Sequence, residues 1–116
     1  MPHCIIEYSS DVADQVSIAD LVEATYQGAL SSGLFPEHDI KTRARAFQYH
    51  QTGSTQDSFV HVRVHLLSGR NDAQKADLSE KVLAQIEPML PGVVSVGVEI
   101  CDMHRDSYRK RVLQRS

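Results

Sequence analysis

Residues 59–67, Phe-Val-His-Val-Arg-Val-His-Leu-Leu, alternate without a break. In an extended chain Val60, Val62, Val64 and Leu66 point to one side, and Phe59, His61, Arg63 and His65 to the other. A period of two is incompatible with a helix, so the middle of this chain is a strand with one wholly apolar face. Such a face needs a covering layer. The following residues supply one. Ser68-Gly69-Arg70-Asn71-Asp72 reads as a turn, with Asn71 or Asp72 as a helix cap. Leu78, Val82, Ile86, Met89 and Leu90 then recur at helical spacing, and Pro91-Gly92 ends the helix. Residues 93–101 return to strand, with Val94, Val96, Val98 and Ile100 on one face and Ser95, Gly97 and Glu99 on the other.

The first half repeats this order. Residues 3–8, His-Cys-Ile-Ile-Glu-Tyr, are short and β-prone. Over residues 17–31 the period changes: Ile18, Leu21, Val22, Ala29 and Leu30 share a broad helical face. Ser17 and Asp20 have capping-box spacing, and Gly33 is placed to stop the helix before Phe35-Pro36. Residues 40–49 predict a second strand, in which Lys41, Arg43 and Arg45 alternate with Thr42, Ala44 and Ala46, so the three cations share a face. Residues 51–57 are a turn or loop. Strand–helix–strand therefore occurs twice, each crossover being long enough to join parallel strands right-handedly. The expected product is one four-stranded sheet with both helices on one face. The other face carries His61, Arg63, Ser95 and Glu99 beside Phe59, and either meets water or a second subunit.

Composition narrows the function classes. A chain of 116 residues has room for one core, and 41% apolar with 23% charged residues is ordinary for a globular domain. The net charge of -3 offers no basic face for nucleic acid. No apolar run reaches the length of about 18 residues that spans a membrane, and Met-Pro-His-Cys does not open a secretory signal. Cys4 and Cys101 are too few for a disulfide framework and read as reduced thiols of a cytoplasmic protein. Residues 102–116 differ from the rest: five Lys/Arg against two Asp give the tail +3, which leaves -6 on residues 1–101. The tail is a solvated end or an arm across a neighbouring acidic subunit. It has no aromatic platform for stacking bases.

Few residues are set up for chemistry. There is no glycine-rich phosphate loop. His61 and His65 share a strand face but stand about 13 Å apart, too far for one metal ion. No cysteine or carboxylate cluster supports a metal site, and no local motif favours a Ser-His-Asp or Cys-His nucleophile. Pro2 remains. Removal of Met1 would leave a secondary amine at the chain start. An α-amine titrates near 8, burial beside cations lowers that value, and a neutral amine at pH 7 is a competent general base.

The opening Pro2-His3-Cys4-Ile5-Ile6-Glu7-Tyr8 resembles the start of the tautomerase superfamily, whose members use an amino-terminal proline as catalytic acid/base. Gly33-Leu34-Phe35-Pro36, Ile40-Lys41-Thr42-Arg43, Phe59-Val60-His61 and Leu67-Ser68-Gly69-Arg70 resemble, in order and spacing, the 5-carboxymethyl-2-hydroxymuconate delta-isomerase family. Val98-Glu99-Ile100 and Met103-His104 continue the likeness, which covers essentially the whole chain. The resemblance implies an α+β fold of tandem β-α-β units with a four-stranded mixed sheet, residues 1–116 forming one domain with a basic arm at 102–116. It implies a homotrimer whose open sheet faces line a central barrel. The implied substrate is a small dicarboxylate on a conjugated dienol or dienone, isomerised by moving a proton without a cofactor. Pro2, Arg43 and Arg70 are then the expected catalytic residues, and Lys41, Arg43 and Arg70 the expected substrate-binding ones. The family usually has arginine where this chain has Lys41, and lysine keeps the charge but lacks the bidentate fork. His3, beside Pro2 but on the opposite strand face, reads as structural. Two alternatives stay open: a trimeric binding or structural protein on the same fold, and a related proline-dependent dehalogenase or decarboxylase.

Overall fold

The computed structural model describes residues 1–114. Strand β1 (His3–Ser9) leads through a short 3-10 turn to helix α1 (Ile18–Ser31), and β2 (Lys41–Phe47) follows. Strand β3 (Phe59–Leu67), helix α2 (Asp72–Ile86) and β4 (Ser95–Met103) repeat the unit. The strands form one sheet in the order β2-β1-β3-β4. Each unit joins parallel strands, β1 with β2 and β3 with β4, while β1 and β3 meet antiparallel. The sheet is therefore mixed, with two helices in an α+β fold.

The helices begin where side chains satisfy their first free N–H groups. The Ser17 hydroxyl accepts from Asp20 N at 3.3 Å. Asn71 caps α2 in a reciprocal box: its side chain accepts from Gln74 N at 2.8 Å, and the Gln74 side chain accepts from Asn71 N at 2.9 Å. Alternation sorts the sheet. Cys4, Ile6, Val60, Val62, Val64 and Leu66 lie buried against Leu21, Leu78, Val82 and Ile86 of the helices. At roughly 1.5–3 kcal/mol per fully buried aliphatic side chain, this layer holds the helices on the sheet.

Element limits depart from the sequence expectation in several places. Strand β2 stops at Phe47 instead of 49, and β4 runs two residues further, to Met103. Val94, expected on the core face of a strand, precedes β4 and is exposed, its N–H bound by the Ser58 hydroxyl at 3.0 Å. Helix α2 gives way at Ile86 to a 3-10 turn over Glu87–Met89, because Pro88 brings no N–H to the helix ladder.

Register collects one end of the sheet. His3 lies opposite Lys41 on one side and His65 on the other, and Leu67 pairs with Met103. The starts of β1 and β2 and the ends of β3 and β4 thus share an edge. Pro2, Lys41 and the turn carrying Arg70 all fall there.

Candidate active site

Pro2 is fully buried at this edge. Its carbonyl accepts from Lys41 N at 3.0 Å, so the β1–β2 ladder fixes the proline through its carbonyl. Met1 covers it and is only 7% exposed. The Met1 α-amine donates to the Asp39 carbonyl at 2.8 Å, and Lys41 Nζ donates to the same oxygen at 3.2 Å. Two nitrogen groups thus converge on one acceptor. Burial first, then the Lys41 ammonium and more distant Lys110, push the amine's pKa down to about 6, against a smaller upward pull from Asp39. An amine in this position is mostly neutral at pH 7. With Met1 attached, the nitrogen of Pro2 itself is an amide and carries no basic lone pair.

Arg43 stands two residues along β2, opposite Ile5, on the sheet face away from the helices. Its Nη1 donates to His3 Nδ1 at 3.3 Å, and His3 Nε2 lies 3.1 Å from the Tyr108 hydroxyl. A cavity of about 200 Å³ opens beside this group, lined by His3, Ile5, Arg43, His65 and Met103. The same face continues with ion pairs between Glu7 and Arg63 at 2.9 Å and between His61 and Glu99 at 2.8 Å.

Arg70, leaving the end of β3, is held at the helix side of the edge. Its Nη2 donates to the Leu34 carbonyl at 3.1 Å, and its guanidinium sits 5.2 Å from the centre of the Phe35 ring. Gly69 precedes it at φ 130, a backbone conformation open to glycine. Of the four residues singled out in the sequence, Pro2, Lys41 and Arg70 share one edge. Arg43 lies on the adjoining open face, two residues inward. Sequence reasoning passed over Asp39, whose carbonyl gathers the amine and Lys41, because a backbone acceptor has no residue signature. It passed over Tyr108 because that side chain reaches His3 from the tail. Among the described residues no group of histidine, cysteine and carboxylates is placed to hold a metal ion, and no helix is long and apolar enough to cross a membrane. Arg115, counted with the basic tail, lies outside the described residues.

A family model described as 5-carboxymethyl-2-hydroxymuconate isomerase matches residues 2–99. No curated protein matches by sequence. Solved structures do match in fold. A 5-carboxymethyl-2-hydroxymuconate isomerase from Deinococcus radiodurans R1 superposes with a TM-score of 0.83 at 20% identity, over 95% of this chain and 88% of that one. A 5-carboxymethyl-2-hydroxymuconate delta-isomerase gives 0.77 at 16% identity, over 97% and 88%. A fused 4-OT, described as a symmetric trimer, gives 0.72 at 15% identity, over 89% and 86%. At these identities the structural likeness is one of fold.

Proposed function

The chain belongs to the 5-carboxymethyl-2-hydroxymuconate isomerase family, within the tautomerase superfamily. On that premise we propose that it moves a proton along an unsaturated 2-hydroxy diacid, with Pro2 as general base once Met1 is removed. The observation that carries this reading is the setting of the chain's first amine. It is buried, next to Lys41, and titrates at about 6. Pro2 is tied to β2 through its carbonyl, beside Lys41, and we extend the same basic surroundings to its nitrogen once Met1 is removed.

In the proposed reaction the neutral Pro2 nitrogen takes a proton from the enol oxygen or a chain carbon. It returns the proton elsewhere on the conjugated system, and the double bond relocates. Lys41 and Arg43, two residues apart on one strand face, have backbones about 6.6 Å apart. That spacing suits two carboxylates on a short unsaturated chain. Arg43 holds one carboxylate end, and Arg70 stabilises negative charge as the enolate oxygen develops. Proton transfer between carbons needs no cofactor. The fused 4-OT relative is described as a trimer. We extend a trimer to this chain, with its one domain completed by neighbours across the open sheet faces.

Pro2→Ala tests the base directly. Loss of a positioned base lowers the chemical step by about 10²–10⁴-fold while KM changes little. Full activity of Pro2→Ala on a dienol diacid, followed by its ultraviolet absorbance, would overturn the mechanism. A second reading rests on Met1, which is packed as a core residue over Pro2. If intact mass finds Met1 retained in the mature protein and no unsaturated diacid is turned over, the fold serves binding instead of catalysis.

A further inference from the structure

We propose that His3 is a positioning residue that aims Arg43 at the mouth of the 200 Å³ cavity, and that Tyr108 on the C-terminal arm holds His3 in turn. The inference rests on the reading that Arg43 binds a substrate carboxylate. It begins from donor and acceptor chemistry. A guanidinium only donates. The 3.3 Å contact from Arg43 Nη1 therefore requires a lone pair on His3 Nδ1. The ring proton is then on Nε2, where it is donated to the Tyr108 hydroxyl oxygen at 3.1 Å. Both ring nitrogens are engaged, and the Tyr108 ring packs edge-on at 72° with centroids 6.2 Å apart. The imidazole is fixed in one orientation and one tautomer.

Protonation of Nδ1 would abolish the acceptor and set two cations against each other. The groups facing His3 oppose that protonation. Lys41 and Arg43 come from β2, His65 from β3, the α-amine from the chain start and the Tyr108 hydroxyl from the arm; none is a carboxylate. Burial first, then Arg43, the amine, Lys41 and His65, lower the His3 pKa from 6.5. The cavity beside the pair has apolar walls in Ile5 and Met103 and basic ones in Arg43 and the two histidines. It fits a carboxylate carried on a hydrocarbon chain. The arm thereby joins the site, because Tyr108 is what orders the ring that orders Arg43.

Four variants and one spectroscopic measurement test this. His3→Phe keeps a ring but no acceptor, and raises KM for a diacid about tenfold, the loss of one hydrogen bond to a charged group, with kcat little changed. His3→Asn returns an acceptor near the Nδ1 position and recovers most of that KM. Tyr108→Phe gives a smaller rise in KM. Nitrogen NMR of the imidazole at pH 7 finds the neutral Nε2–H tautomer, and Arg43→Gln relaxes it toward a mixture. An unchanged KM in His3→Phe, no recovery in His3→Asn, or an Nδ1–H or cationic His3 at pH 7 would each overturn the proposal. If no unsaturated diacid is isomerised at all, the functional reading fails, and the tautomer measurement in wild type and Arg43→Gln still decides whether His3 and Arg43 are linked.

Discussion

A side chain's role here depends on what reaches it from a distance. Pro2, Lys41, Arg43 and Arg70 were singled out in the sequence through the family resemblance, and the roles given to them here are proposed. His3 was not. Its partners lie 40 and 105 residues away, so its polar ring reads as an ordinary strand residue until the register is known. Titration gives a test at this scale. In protein retaining Met1, the folded amine titrates at about 6 against 8.0 when free, and His3 is also lowered from its ordinary value. Between these values the unfolded chain binds more protons than the folded one, so stability rises with pH. Thermal melts from pH 6 to 8 should show Tm climbing; a flat or falling Tm would mean that the amine is solvated. The two thiols also differ. Burial pushes Cys4 up to about 11 and also raises Cys101, which is half-buried. A thiol reagent at neutral pH should label Cys101 slowly and Cys4 only on unfolding.

Periodicity exposed the elements well, because each strand and helix buries one face against the same core. The alternation at 59–67 matched β3 to the residue, and Leu78, Val82 and Ile86 became the buried face of α2. The contact between helices was harder to read. Gly28 lies inside α1, where glycine costs about 1 kcal/mol relative to alanine, and nothing in the local pattern explains it. The packing does. A Cβ at Gly28 would stand 2.6 Å from the Val82 backbone of α2, closer than real Cβ atoms approach. Gly28→Ala should therefore destabilise the fold by about 1–3 kcal/mol despite its gain in helix propensity, seen as a lower denaturant midpoint. A stabilised variant would mean that the helices can separate freely. Loss of the α2 cap in Asn71→Ala should cost about 1 kcal/mol by the same assay.

At the scale of the whole molecule, the open sheet face is the decisive feature. Composition and strand alternation already showed it as mixed, neither a plain solvent face nor a second core. Its residues pair across strands in the structure, Glu7 with Arg63 and His61 with Glu99, further along the face from the site at one edge. Whether a neighbour covers that face is not readable from one sequence, because an interface is a property of two surfaces. If the proposed trimer forms, sedimentation should give three times the 13.0 kDa chain mass. A monomer at micromolar concentration would contradict it. The role of the first amine is decided by comparing kcat/KM of two preparations verified by intact mass, one starting at Pro2 and one retaining Met1, on an unsaturated 2-hydroxy diacid. The Pro2-start protein should turn the diacid over, with a loss of about 10²-fold or more when Met1 turns that nitrogen into an amide. Equal turnover by both would contradict that role.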